Sequence, residues 1–142
     1  METIKEMLQN KNELITIISG TSVYDAVLFM AEKSVGLVPV MEEGKLIGVF
    51  SERDLVKRVI AKNRDLKSTK VNDVMSTQLV IADINEGYES VLTKMKEAKI
   101  RHIIVIEDGK LAGVLSMRDL LEIDIDVHKS TVEVLHNYIY SK

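Results

Sequence analysis

The chain has 142 residues, of which 46% are apolar and 29% charged, a composition typical of globular proteins and not of disordered, collagen-like or membrane-spanning ones. The absence of cysteine excludes disulfides, thiolate nucleophiles and cysteine-based metal centres. Nineteen Lys and Arg against 22 Asp and Glu give a net charge of −3, which disfavours duplex nucleic acid as a partner. The N-terminal residues are polar and the apolar runs are short, so we expect a cytoplasmic protein with no membrane partner.

Hydrophobic periodicity and turn residues predict one element order in both halves of the chain: strand, amphipathic helix, two strands joined by a tight turn, and a second helix. In the first half the strands and first helix cover, in chain order, residues 14–18, 23–31, 37–41 and 45–50, with the second helix starting at Ser51. In the second half they cover residues 79–82, 91–98, 103–107 and 110–115, with the second helix starting at Ser116. Residues 127–140 repeat apolar side chains at helical spacing and predict a C-terminal helix.

An internal repeat relates the two halves. A shift of 65 residues aligns VMEEGKLIGVFSERDL (40–55) with VIEDGKLAGVLSMRDL (105–120), with 11 identities in 16 positions. A weaker echo of IKEM (4–7) in NDVM (72–75) is offset by 68 residues, so the first copy carries three extra residues near positions 10–13. We therefore expect an α/β (α+β) fold of two β-α-β-β-α repeats, packed together about a pseudo-twofold axis because one 60-residue copy covers its sheet poorly. The predicted parts are repeat 1 (1–61), a linker (62–70), repeat 2 (71–125) and a C-terminal helical tail (126–142).

The motif S-x-R-D-L occurs in both repeats where a strand is followed by a helix, at residues 51–55 and 116–120. Its serine and aspartate are Ser51 and Asp54 in the first repeat, and Ser116 and Asp119 in the second. A serine followed by an acid three residues later is typical of a helix cap, and this structural role needs no ligand. The free N–H groups of a helix N-terminus also attract anions, so the same serine could bind a phosphate and the aspartate could accept hydrogen bonds from a ribose. The sequence alone leaves both roles open.

These features together resemble a tandem pair of cystathionine-β-synthase (CBS) domains. The likeness rests on the repeat spacing, the element order, the G-x-x-S-x-R-D-L stretches at 48–55 and 113–120, and VNDVMST at 71–77, and it covers nearly the whole chain. It implies adenosine-containing ligands (AMP, ADP, ATP, NAD(H) or S-adenosylmethionine), bound in two clefts between the repeats, with no required cofactor. It also implies a homodimer that acts as a regulatory sensor, for example of cellular energy state, on an effector protein in trans.

The resemblance assigns roles to the motif residues. Asp54 and Asp119 match the ribose-binding aspartate of the family, and Ser51 and Ser116 match the hydroxyl beside the phosphates. An arginine, Arg53 or Arg118, sits within the first turn of each predicted helix, where its charge opposes the helix dipole. A bound anion or a neighbouring acidic side chain would each offset that cost.

Other family positions are matched outside the motif. Arg101 and His102 precede the third strand of repeat 2, where some members carry a phosphate-binding basic pair, whereas repeat 1 has Gly36 and Leu37. This departure predicts unequal sites, the second better suited to a charged phosphate tail. The residues that match the adenine-holding stretch of the family, equally readable as ordinary core strand, are Ile15, Thr77 and Val80.

Three classes of function are candidates for this chain. The first is a nucleotide-responsive regulatory module without chemistry, and the second is a structural or interaction dimer whose nucleotide sites are vestigial. The third is a small hydrolase or transferase, which would need a nucleophile–base pair or acids clustered around a metal. The sequence contains no such pattern and no glycine-rich phosphate loop, so we expect no catalytic residues and no metal site, and we favour the first class.

Overall fold

The structure is a computed structural model that describes residues 3–11, 13–124 and 136–139. It contains two compact units: a first unit, Glu13–Leu79, and a second unit that combines Met1–Asn12 with Val80–Lys142. The compact units therefore group residues differently from the sequence repeats. The segment that opens repeat 1 belongs to the second unit, and the segment that opens repeat 2 belongs to the first.

The predicted order of strand, helix, two strands and helix is present in both halves. In chain order the elements are α1 (Ile4–Gln9), β1 (Ile17–Ile18), α2 (Val23–Lys33), β2 (Leu37–Glu42), β3 (Lys45–Ser51), α3 (Glu52–Asp54), a π-helical turn (Leu55–Ile60), α4 (Val71–Val74), β4 (Ile81–Asp83), α5 (Tyr88–Ala98), β5 (His102–Glu107), β6 (Lys110–Ser116) and α6 (Met117–Asp124). A short helix that was not predicted precedes this order in each half, α1 in the first half and α4 in the second. Residues 136–139 are also helical. The predicted α/β (α+β) class is confirmed. Within the described ranges, no helix is long and apolar enough to cross a lipid bilayer.

Each unit contains one three-stranded mixed sheet. The strand orders are β1-β2-β3 and β4-β5-β6, with the first pair of each sheet parallel and the second pair antiparallel. β1 has two residues, fewer than the five predicted, because only Ile17 and Ile18 pair with β2. Residues 14–16 lie outside the sheet: Leu14 is 47% exposed, and Ile15 packs against the core without joining a strand.

The hairpin turns are confirmed. Glu43 and Gly44 have φ values of 49° and 78°, and Asp108 and Gly109 have values of 51° and 76°. Two successive residues in the left-handed region define the turn whose twist matches that of the paired strands, which is why glycine occupies the second position.

The predicted linker, residues 62–70, is part of the first unit and contacts α2. The backbone N–H of Val23 donates to Thr69 O and that of Tyr24 donates to Leu66 O, both at 2.9 Å. Free N–H groups at the start of a helix need acceptors, and the linker supplies two of them for α2. Ser22 caps the same helix, its hydroxyl oxygen accepting a hydrogen bond from the N–H of Asp25 at 3.0 Å.

An apolar core fills each unit, and both helices and strands contribute side chains to it. In the first unit the buried core residues are Ile17, Val23, Ala26, Met30, Val38, Val40, Phe50, Val59, Val71 and Val74. In the second they are Ile4, Met7, Ala82, Ile84, Tyr88, Val91, Met95, Ile103, Val105, Leu115, Met117 and Leu120. Ile4 and Met7 of α1 thus pack in the second core, and Val71 and Val74 of α4 pack in the first. Ile139 packs against the second core, while the rest of the predicted tail helix lies outside the described residues except for 136–138.

Candidate ligand-binding site

The two S-x-x-D motifs cap the helices that follow them. The backbone N–H of Ser51 donates to Asp54 Oδ2 at 3.0 Å, and the N–H of Asp54 donates to Ser51 Oγ at 3.3 Å. Ser116 and Asp119 make the same reciprocal pair, with distances of 2.7 and 3.1 Å. The structural role that the sequence left open is therefore present in both repeats, because each pair satisfies two N–H groups that helix geometry would leave unpaired.

In addition to the cap, other groups of the protein contact the Asp54 carboxylate of the first unit. The Ser51 hydroxyl donates to its Oδ2 at 3.0 Å, the Ser76 hydroxyl donates to its Oδ1 at 2.9 Å, and Arg58 Nε lies 3.5 Å from Oδ1. The residue is only 3% exposed. Both carboxylate oxygens are thus occupied by groups of the protein.

Asp119 of the second unit has a different partner. Its Oδ2 accepts a hydrogen bond from the Lys11 ammonium at 2.9 Å, and the same ammonium donates to Val114 O at 2.9 Å. The side chains of Lys11 and Asp119 are 42% and 27% exposed, so this ion pair faces water. An ion pair that faces water holds its partners less firmly than a buried one.

Different segments pack against the equivalent glycines of β3 and β6. A Cβ atom on Gly48 would lie 2.7 Å from Met75 Sδ and 2.9 Å from the backbone O of Ser76, so only glycine admits this segment beside β3. At the equivalent Gly113, a Cβ atom would lie 2.6 Å from Leu8 Cδ2. The offset of 68 residues aligns Leu8 with Ser76. Leucine has no hydroxyl to give to Asp119, and Lys11 provides the donor instead.

The protein lowers the pKa of the Asp119 carboxyl group. Burial raises its pKa, but the backbone N–H of Ser116 and the ammonium of Lys11 stabilise the ionised form more strongly. The pKa of Asp119 therefore lies below its ordinary value of 3.8. The carboxylate is ionised at neutral pH and can accept hydrogen bonds.

The basic pair of repeat 2 lies beside this motif. His102 begins β5 and pairs with Ser116 across the sheet, and the backbone O of Arg101 accepts a hydrogen bond from the N–H of Met117 at 2.7 Å. The Arg101 side chain is exposed, and its Nη2 donates to Ile139 O at 3.3 Å. The fold thus brings Arg101, His102, Ser116 and Asp119 together at one edge of the second sheet.

The remaining predicted site residues are more dispersed. Arg53 and Arg118 are exposed on the first turns of their helices. Thr77 is exposed in the first unit, whereas Val80, 37% exposed, belongs to the second. Ile15 packs on the first core, which favours the core role that the sequence left open.

Three residues that contact the two carboxylates are not predicted from the sequence motifs. Ser76 and Arg58 complete the Asp54 network, and Lys11 completes that of Asp119. The available signal is the repeat alignment: Ser76 directly follows the methionine that both copies share, and Lys11 lies among the three extra residues of the first copy.

A cavity of about 480 Å³ lies in the first unit between the C-terminal end of α2 and the start of α3. Its walls are mainly apolar, with Gly36 and the Glu52 side chain also contributing. The repeat alignment places Arg101 and Met117 at these two positions, and Met117 is buried in the second core. At these two positions the first unit has a glycine and an exposed glutamate, whereas the second unit has an exposed arginine and a buried methionine.

Comparison with known proteins gives consistent matches. The sequence profile of the CBS domain matches residues 4–61 and 71–126. The CBS domain-containing protein YhcV of Bacillus subtilis is 30% identical over 120 residues, which cover 84% of each chain. The CBS-domain containing protein ATU1752 from Agrobacterium tumefaciens has a crystal structure similar to this one, with a TM-score of 0.79 and 27% identity over 86% of this chain and 98% of that chain.

A more distant structure was solved with ligands. The CBS domain pair of protein MJ0100, in complex with 5′-methylthioadenosine and S-adenosyl-L-methionine, matches with a TM-score of 0.77 and 22% identity. The match covers 89% of this chain and 98% of that chain, and at this identity it concerns the fold. The chain described here belongs to the CBS domain family and carries two CBS domains in tandem.

Proposed function

We propose that this protein is a regulatory sensor without catalytic activity that binds an adenosine-containing ligand: AMP, ADP, ATP, NAD(H) or S-adenosylmethionine. CBS domain pairs generally regulate other proteins by binding adenosine-containing molecules, and MJ0100 was crystallised with two of them. On this proposal the ligand is a regulatory signal, and the protein acts in the cytoplasm as a homodimer on an effector protein in trans.

The observation that carries the proposal is the cluster at the edge of the second sheet. Asp119 offers an ionised, partly exposed carboxylate that suits the two hydroxyl donors of a ribose. Ser116 caps the helix beside it, and Arg101 brings a positive charge and His102 an imidazole to the same edge. A ribose and a phosphate therefore find complementary groups within one compact unit.

The first unit favours a structural role for its motif. Asp54 is buried, and protein groups occupy both of its oxygens, so a ribose would have to displace an internal network. We propose that Asp119 carries most of the ligand affinity. Ser51 then serves mainly to cap α3, while Arg53 lies exposed on its first turn. Thr77 and Val80 remain proposed adenine contacts, and Arg118 a proposed contact of the phosphate.

Thermal unfolding in the presence of millimolar ligand tests this function. A ligand at one hundred times its Kd stabilises the native state by about 2.7 kcal/mol, so at least one of the five ligands should raise the Tm. Asp119→Asn should reduce that rise, because it removes the charge and one acceptor at nearly constant shape.

Asp108→Asn is a suitable control. Asp108 is exposed in the β5–β6 turn, and asparagine accepts the left-handed backbone there. This control should keep the full ligand response. Absence of a Tm shift with every ligand would instead favour an interaction dimer with vestigial sites.

A further inference from the structure

The two units hold equivalent groups with different donors. In the first unit Ser76 uses two donors: its backbone N–H donates to Val49 O at 2.8 Å, and its hydroxyl donates to Asp54. In the second unit a single ammonium makes both hydrogen bonds: Lys11 Nζ donates to Val114 O and to Asp119. The repeat alignment equates Val49 with Val114 and Asp54 with Asp119. The Lys11 ammonium therefore replaces a backbone group and a short hydroxyl.

This replacement changes how easily the contact can open. The Ser76 contact is fixed by two backbone hydrogen bonds to Val49, with the N–H of each residue donating to the carbonyl of the other, and its carboxylate partner is buried. Lys11 reaches Asp119 through four flexible methylene groups. Its ammonium can therefore leave the carboxylate and return to water without breaking any hydrogen bond between backbone groups. An exposed ion pair is worth little and is screened by salt, so another donor can displace it.

We propose that Lys11 gates the ligand site of the second unit: its ammonium occupies Asp119 in the free protein, and the ribose hydroxyls of a ligand must displace it. The inference rests on the proposed function, because it concerns regulation of the same carboxylate. On this view Lys11 is a positioning residue that sets affinity and makes it depend on salt. In the first unit a serine hydroxyl holds the equivalent carboxylate at 2.9 Å, and the exposed basic side chain nearby, Arg58, lies farther away at 3.5 Å and donates to Met75 O.

Calorimetric titration with adenosine tests the gate. Adenosine carries the ribose and base without a phosphate, so the lysine cannot attract it by charge. Lys11→Met keeps the length and apolar character of the side chain and removes the ammonium, and it should bind adenosine about five-fold more tightly than the unmodified protein. Lys5→Met is the matched control, since Lys5 is exposed on α1 of the same unit, and its affinity should stay unchanged.

Salt gives a second readout. Raising NaCl from about 20 to 300 mM should tighten adenosine binding to the unmodified protein, because salt weakens the Lys11–Asp119 pair, and should leave Lys11→Met unaffected. Circular dichroism confirms that each variant is folded, and Lys11→Gln serves as a second neutral replacement. Tighter binding by both neutral variants, or binding by them alone, supports the gate.

Other outcomes overturn it. Equal or weaker adenosine binding by the neutral variants overturns the gate and leaves the proposed function intact. If neither the unmodified protein nor any variant binds adenosine or the five candidate ligands, both the gate and the ligand-binding function are wrong.

Discussion

Replacement of Asp54 by alanine should destabilise the protein far more than the same change at Asp119. The Asp54 carboxylate accepts three hydrogen bonds, from the Ser51 N–H, the Ser51 hydroxyl and the Ser76 hydroxyl, and it lies 3.5 Å from Arg58 Nε. Its removal leaves these donors without an acceptor at a site that is 3% exposed. Removing one partner from a buried charged network costs about 3–5 kcal/mol.

Asp119 provides the matched comparison at the same motif position. Its loss removes one helix cap and one exposed ion pair, which together contribute about 1–2 kcal/mol. Urea unfolding followed by far-ultraviolet circular dichroism measures both values, and similar slopes with denaturant would show that the extent of unfolding is unchanged. Ser76→Ala isolates one hydrogen bond of the network and should cost about 1 kcal/mol.

Equal losses for the two aspartates would refute this reasoning. So would a loss below about 1.5 kcal/mol for Asp54→Ala, because three hydrogen bonds to a buried carboxylate cannot be that weak if they are formed. The second result would mean that the first-unit carboxylate is more open than the structure describes.

Two further predictions concern packing and pH. Gly48→Ala should lower the free energy of unfolding in urea by about 1–3 kcal/mol, because the new methyl group meets a backbone carbonyl at 2.9 Å. Gly113→Ala should lower it less, because its methyl group meets the end of a leucine side chain. A larger loss for Gly113→Ala would contradict these contacts. Because the pKa of Asp119 is lowered on folding, its ionised form stabilises the protein above pH 3.8, and that stability is lost as the pH falls through the lowered value. The destabilisation caused by Lys11→Met at pH 7 should therefore shrink as unfolding is measured at pH values below 3.8, and a constant difference would exclude a charge effect.

Local signals explain what could be predicted from the sequence. The two hairpins follow from Glu43-Gly44 and Asp108-Gly109, whose backbone preferences act over two residues. The cap at Ser51 follows from the spacing to Asp54, since both partners lie within one helical turn.

The remainder depends on contacts that no local pattern encodes. Helices α1 and α4 have six and four residues, too few to be stable alone, and their apolar residues are buried only by tertiary packing. Lys11 and Asp119 are 108 residues apart in the chain, so their pairing depends on the whole unit. The role of Asp54 as a buried structural acid likewise depends on Ser76, 22 residues away.

The three extra residues of the first copy have a consequence for how duplicated domains diverge. They lie near positions 10–13, the stretch that supplies Lys11, and they alter no residue of either S-x-x-D motif. A change in chain length upstream of a repeat can thus give one carboxylate an exposed lysine partner and leave the other with a serine partner while both motifs stay intact. Two copies that score alike in a motif search can then differ in ligand response, and insertions upstream of each repeat are where such differences should be sought in related chains.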